Sequence, residues 1–249
     1  MFYRYLKGGA RMPVDLDNLY SGSCFIAGGN PCLLNEDLGV LRQSGIMVMS
    51  INNTASVVPS DIWIGGDKSG CYSNKILRDP KIMKFAVISR KDCLVDDVEW
   101  KYLPSTYFFG TTNKFNTKNF LSSNRDLVWW KNTFFMAVQL AYRLGFRRVY
   151  LIGCKFGIDK DKQYSYSTGL TTGQITSNQR LYNQAIEKMK QLKPHFEQSG
   201  FEVISSTQDS PLNEIYQFVP FKDAVKSVLK DFPDDYDTDK CVHSSFYKK

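Results

Sequence analysis

The chain has 249 residues, 43% of them hydrophobic, 14% aromatic and 23% charged, the profile of a folded domain with an aromatic-rich interior, which excludes disorder as the main state. Its longest apolar runs, such as residues 149–153, fall far short of the roughly 20 residues that a bilayer-spanning helix needs, and residues 1–13 lack the apolar core of a signal peptide, so a cytoplasmic protein is expected. Six scattered cysteines, no Cys-x-x-Cys pair and two histidines, His195 and His243, argue for reduced thiols and against a zinc cluster. The net charge is +7 and uneven: residues 231–249 hold five acids and three bases, which leaves 29 of the 32 bases against 20 of the 25 acids, or +9, in the body. That excess fits a phosphate-bearing partner, and it equally fits a solvated surface.

In chain order, residues 24–27 form an apolar run that stops at Gly28-Gly29-Asn30-Pro31, and residues 35–42 carry Leu38 and Leu41 at helical spacing before Gly45. Strand, glycine turn, helix is the expectation. Residues 46–51 make a second run ending at Asn52-Asn53, and residues 61–64 a third, closing on Gly65-Gly66-Asp67. Residues 84–89 read as a strand, and residues 106–109 as either a strand or a packed aromatic loop. Asn132 or Thr133 can cap a helix that carries Phe134, Val138, Ala141 and Leu144 and ends at Gly145. Residues 149–152 then run as a strand into Gly153.

Leu181, Ala185, Met189, Leu192 and Phe196 form a helical stripe that Pro194 should kink or split in its last turns. Residues 201–205 give a strand after Gly200, and Phe221, Val225, Val228 and Phe232 an amphipathic helix before an Asp-rich tail expected to be mobile. Strands alternating with helices predict an α/β fold: one Rossmann-like, doubly wound, mostly parallel sheet with helices on both faces over residues 23–232. Residues 1–22 read as an N-terminal extension and 233–249 as an acidic tail. Ligands of such sheets bind beyond the carboxyl ends of the strands, where Gly28 to Asn30, Asn52-Asn53, Gly65 to Asp67 and Gly153 to Lys155 fall.

Gly28-Gly29-Asn30-Pro31 suits either a tight turn or a loop that lets backbone approach a nucleotide. The spacing is not that of a dinucleotide-binding loop, and no P-loop is present. Residues 25–33 (FIAGGNPCL), together with residues 133–156 (TFFMAVQLAYRLGFRRVYLIGCKF), resemble the superfamily of the bacterial sialyltransferases of glycosyltransferase family 42, which includes the motility-accessory and 6-hydroxymethylpterin diphosphokinase-like proteins. The resemblance follows the element order over residues 23–222. It implies a nucleotide sugar as donor substrate with no cofactor, Gly28, Gly29 and Asn30 lining the nucleotide, Asn52 or Asn53 contacting sugar or base, Thr133 facing the nucleotide from a helix end, and Tyr164 or Tyr166 on the donor phosphate. The departures are equally specific. The family's Gly-x-Asp-Phe is Gly153-Cys154-Lys155-Phe156 here, and no histidine lies between Gly169 and Asn178, where the family's catalytic base falls.

Another group must then take the acceptor proton, and Asp67, between strand end and Lys68, is the first candidate, with capping of a following helix as its alternative role. Asp159 and Asp161 come second. Asp234-Asp235-Tyr236-Asp237 has an acid-x-acid spacing, but its tail context reads as solvated, and no metal site is assigned. Trp129, Trp130, Arg143, Arg147 and Arg148 interleave rings and cations and offer a surface for an acceptor, with core packing of the indoles as the plainer alternative. The expected activity is transfer of a sugar to a hydroxyl, with hydroxymethylated pyrimidines in bacteriophage DNA as the first acceptor to test. The rivals are pyrophosphoryl transfer to a pterin-like alcohol and non-catalytic binding of a nucleotide or nucleic acid. Oligomeric state is left open.

Overall fold

The computed structural model describes residues 1–122, 126–158, 163–166 and 170–230. In chain order the strands are β1 (Phe2–Tyr5), β2 (Arg11–Val14), β3 (Ser23–Ala27), β4 (Val48–Ile51), β5 (Ile62–Gly65), β6 (Met83–Val87), β7 (Leu94–Val95), β8 (Val98–Glu99), β9 (Thr106–Phe109), β10 (Thr111–Thr112), β11 (Leu127–Val128), β12 (Arg148–Ile152) and β13 (Glu202–Ser205). The helices are α1 (Asn74–Arg78), α2 (Thr133–Leu144), α3 (Thr172–Gln198) and α4 (Phe221–Lys230). Nine strands join one sheet in the order β13-β12-β3-β4-β5-β6-β9-β1-β2. Every pair from β13 to β9 is parallel, and β1 and β2 close the far edge antiparallel. This mixed α/β arrangement, with a large and mostly parallel central sheet, is consistent with a Rossmann-like fold.

The apolar runs are continuous because the central strands are covered on both faces. In β3, Cys24 and Ile26 join the cluster that contains Leu140 and Ala141 of α2 and Met189 of α3. Phe25 and Ala27, pointing the other way, join Leu41 and the α4 residues Phe221 and Val225. Asn132 caps α2, its side chain accepting from the Phe134 amide at 3.0 Å, and Gly145 ends it at φ +108°. A Cβ on Gly145 would stand 2.1 Å from the Tyr20 carbonyl oxygen, so this helix end admits only glycine. None of the described helices is long and apolar enough to cross a membrane.

One expectation changes, and two that left alternatives open are narrowed. The helix predicted after β3 is two 3₁₀ turns, Pro31–Asn35 and Leu38–Arg42, since the side chains of Asn30 and Asp37 take the amides of Cys32 and Gly39 and favour short turns. Residues 106–109 are a strand, β9, held between β6 and β1. Helix α3 runs through Pro194 without a break in assignment, and buried Leu192 and Phe196 on either side hold it against the core.

Lys84 is fully buried within β6, where its ammonium donates to the carbonyls of Asp79 (2.5 Å) and Ile82 (2.9 Å). Desolvation lowers its pKa from 10.5 to about 8. Between those values the unfolded chain binds more protons than the folded one, so this residue's contribution to stability rises with pH across that window and is constant below it. The urea midpoint of the wild type minus that of Lys84→Met should therefore climb from pH 8 to 10; a flat or falling difference would mean that Lys84 is as well solvated folded as unfolded.

Candidate functional site

From β3 the chain moves to β4, β5, β6 and β9 on one side, and only later returns to place β12 on the other. The strand order therefore reverses between β3 and β12, and the crevice beyond their carboxyl ends is the position where open α/β sheets bind ligands. Here the crevice is floored by two glycines in mutual contact. The Gly28 amide donates to the Ile152 carbonyl at 2.8 Å and the Asn30 amide to Gly153 at 3.1 Å. A Cβ on Gly28 would lie 2.6 Å from the Gly153 oxygen, and one on Gly153, at φ +60°, would lie 2.5 Å from the Gly28 oxygen. Neither position has room for a side chain.

The turn is braced from both sides. Asn30 accepts from the Cys32 amide at 3.0 Å and donates through Nδ2 to the Gly157 carbonyl at 2.9 Å. Thr207 accepts from the Cys154 amide at 3.0 Å, and Ser210 donates to the Cys154 carbonyl at 2.9 Å. Burial pushes the Cys154 thiol up to about 12, which leaves it a packed, protonated group and not a nucleophile.

Above this floor is a cleft of about 110 Å³. Asn52, Asn132 and Thr133 line it, with Phe156, Tyr164 and Tyr182 also on its walls. Asn52 sits at φ +55° and its carbonyl accepts from the Trp63 indole at 2.6 Å. Its Oδ1 is buried without a hydrogen-bond partner among the described residues, a desolvated acceptor that a ligand N–H or O–H would satisfy. Phe156 adopts φ +53°, a costly conformation for a bulky side chain, and is held edge-on between Phe134 (5.0 Å) and Tyr182 (5.9 Å).

Tyr164 and Tyr166 are stacked with centroids 5.3 Å apart and planes within 2°. They lie over Gly29, whose missing Cβ would meet them at 3.0 to 3.3 Å, while the Ser165 amide donates to the Gly29 carbonyl at 2.8 Å. A side chain here would push the rings off the turn by a few tenths of an ångström. The Tyr164 hydroxyl accepts from Asn178 Nδ2 at 3.2 Å. Burial, followed by the charges of Tyr164 and Asp67, raises the pKa of Tyr166; burial followed by Tyr164 raises that of Tyr182. Both phenols stay protonated at neutral pH.

Of the residues singled out in the sequence, Gly28, Asn30, Asn52, Thr133, Gly153 and Tyr164 come together at the cleft. Gly29 and Tyr166 stack beside it. Asn53 turns away to the Cys71 carbonyl and the Ser73 amide, which makes it part of the scaffold. Lys155 is half-buried and is not among the residues lining the cleft. Asp67 is exposed, its amide donating to the Tyr72 hydroxyl at 2.7 Å. On the adjacent Gly66 a Cβ would meet the Trp129 indole nitrogen at 3.1 Å. Trp130 packs edge-on to Phe135 at 5.8 Å. Asp159, Asp161 and residues 234–237 lie outside the described residues.

The three arginines are corrected. Arg143 is 4% exposed, ion-paired to Asp17 at 3.1 Å and stacked on Phe2 at 4.4 Å, so it cannot offer its guanidinium to a phosphate. Arg147 bonds the carbonyls of Tyr142 and Phe146 and the side chain of Asn18, and Arg148 pairs with Glu202. Arg147 and Arg148 also sit at the amino-terminal end of β12, and Arg143 in the last turn of α2 that leads into it. The cleft is at the other end, about 13 Å along the strand.

Sequence reasoning missed Asn132 as a lining residue, along with Phe156, Gln163 and Tyr182, and it missed Asn178, which bonds Tyr164. Asn178 and Tyr182, which continue the spacing of Ala185, Met189, Leu192 and Phe196 toward the amino end of α3 with polar groups, were the available signal. No protein-family model and no curated protein matches the chain. Among solved structures, it is similar to a chain described as the structure of a MAf glycosyltransferase from Magnetospirillum magneticum AMB-1, at 13% identity and a TM-score of 0.47. The likeness covers 93% of this chain and 38% of that one, so this chain spans under two fifths of that chain's length.

The glycine contact makes a stability prediction. Gly28→Ala and Gly153→Ala should each cost about 1–3 kcal/mol through forced separation of the two strand ends. Gly173→Ala, in open space on α3, should be neutral or slightly stabilising. Chemical denaturation of the three variants checks this, and equal stability of all three would remove the contact as a constraint.

Proposed function

We propose that the protein is a nucleotide-sugar-dependent glycosyltransferase that moves a sugar from a nucleotide donor to a hydroxyl acceptor without a metal ion. The observation that carries this is the glycine-floored cleft at the switch point of the sheet, with tyrosine hydroxyls on its wall. The amino end of α2, at Asn132, Thr133 and Phe134, also lines the cleft and favours phosphate there through its dipole. The unpartnered Asn52 Oδ1 supplies an acceptor for a ribose hydroxyl or base N–H.

In this reading the acceptor oxygen bonds to the anomeric carbon as the bond from that carbon to the phosphate oxygen breaks. The charge that develops on the leaving phosphate is met by the hydroxyls of Tyr164 and Tyr166. Asp67, whose charge reaches Tyr166, takes the acceptor proton. No imidazole is available for this at the family position, where Asn178 reaches the cleft through Tyr164; an amide cannot serve as a base. At about 110 Å³ the cleft is smaller than the roughly 300–1,000 Å³ of drug-sized sites. The tyrosine rings must therefore lift from Gly29 when the whole donor binds.

A thermal-shift panel of cytidine, uridine, guanosine and adenosine diphosphates tests the reading, and one of the four should raise the melting temperature selectively. Failure of all four at millimolar concentration would sink it. With the donor known, Tyr164→Phe and Tyr166→Phe should each lower turnover, on the order of 10²-fold for an important transition-state donor, with little change in donor affinity. Equal loss of both would assign the hydroxyls to ground-state binding instead. Hydroxymethylated duplex DNA belongs among the acceptors assayed, although the arginines that suggested it are engaged elsewhere.

A further inference from the structure

Beside the cleft, across the turn formed by residues 129–132, lies a second cavity of about 250 Å³ lined by Asn113, Trp130, Lys131, Arg180, Leu181 and Gln184. Among these six are one indole, two cations, two amides and no acid. The side chains of Lys131 and Arg180 are exposed, and neither has an ion pair or hydrogen bond to any described residue. Lys188, one helical turn beyond Gln184, stands over the Phe115 ring at 4.7 Å, and Phe115 in turn packs on Trp130 at 6.3 Å. A third positive charge thus sits at the rim.

The two cavities share their walls. Helix α3 presents Tyr182 to the cleft and Arg180, Leu181 and Gln184 to the groove, and the turn presents Asn132 and Thr133 to the first and Trp130 and Lys131 to the second. The same turn carries Trp129 against Gly66, next to Asp67. A molecule in the groove therefore lies beside the cleft, across a single turn of the chain.

We infer that this groove is the acceptor subsite and that it takes an anionic sugar ring, one bearing a carboxylate or phosphate. The inference rests on the transferase reading. Trp130 offers an apolar face to the C–H side of a pyranose, Lys131 and Arg180 pair with the anionic substituent, and Asn113 and Gln184 can bond ring hydroxyls. The volume fits one or two rings. A nucleic-acid strand asks for a longer track of cations and stacking rings, whereas Arg143, Arg147 and Arg148 are engaged at the opposite end of the sheet.

Saturation-transfer NMR on the full chain, comparing glucuronate with glucose, tests this without requiring turnover. Transfer should be stronger to glucuronate than to glucose and should fall as salt rises. Arg180→Ala and Lys131→Ala, both on exposed positions, should each weaken glucuronate binding about tenfold while circular dichroism stays unchanged. Equal transfer to both sugars, transfer to neither, or glucuronate binding unaffected by either substitution would overturn the assignment. Displacement of glucuronate by a short single-stranded oligonucleotide at much lower concentration would overturn it in favour of nucleic acid. Should the nucleotide panel fail while glucuronate still binds as described, only the transferase reading falls; should a nucleotide bind while glucuronate does not, only the groove falls.

Discussion

The contact between Gly28 and Gly153 is the constraint on which the rest of the site depends. Each residue's carbonyl oxygen occupies the space that the other's Cβ would need, so β3 and β12 can bring their carboxyl ends together only with bare backbone on both. Because the strand order reverses between these two strands, their ends are also where a crevice opens. The hydrogen bonds from Thr207, Ser210 and Asn30 then fix the turn in three directions. A floor with no side chains, rigidly held, is what a close approach to a phosphate or ribose requires.

Much of this was legible in the amino-acid sequence, for a physical reason. Buried parallel strands must be apolar throughout, so their ends stand out wherever glycine and polar residues resume, and those ends are where ligands bind. What was not legible depended on partners remote in the chain. Asn52 and Asn53 are chemically identical, and only the Cys71 carbonyl and Ser73 amide decide that Asn53 is scaffold. Arg143 looked like a surface cation until Asp17 and Phe2, more than 120 positions away, buried it. Pro194 reads as a helix breaker locally, yet the core contacts of Leu192 and Phe196 keep α3 continuous.

The charge excess follows the same division. Sequence proximity put Arg143, Arg147 and Arg148 together with Trp129 and Trp130, but α2 separates the two groups, with the tryptophans before its amino end and the arginines at or beyond its carboxyl end. The arginines there hold the first residues of the chain and the start of β12 in place, so their charge is already answered by Asp17, Glu202 and backbone carbonyls. Lys131, which follows the two tryptophans in the same run, and Arg180 on α3 are without such partners among the described residues. The residues placed to meet an anion are therefore those beside the cleft, and net charge alone would have pointed elsewhere.

The hydrogen bond of Tyr164 narrows the division of labour further. A phenol oxygen has two lone pairs and one proton. Asn178 occupies one lone pair through its amide, which can only donate from Nδ2. That bond makes no use of the hydroxyl proton of Tyr164. The proton of Tyr164 is then left for the cleft. A group arranged in that way donates; it does not abstract. Asn178 lies within the stretch where the histidine of the resembled family falls; in the proposed reading it supports a donor to the leaving group, which assigns abstraction of the acceptor proton to a different element of the fold. In the proposed reading that role falls to Asp67, which follows β5 and whose charge reaches Tyr166.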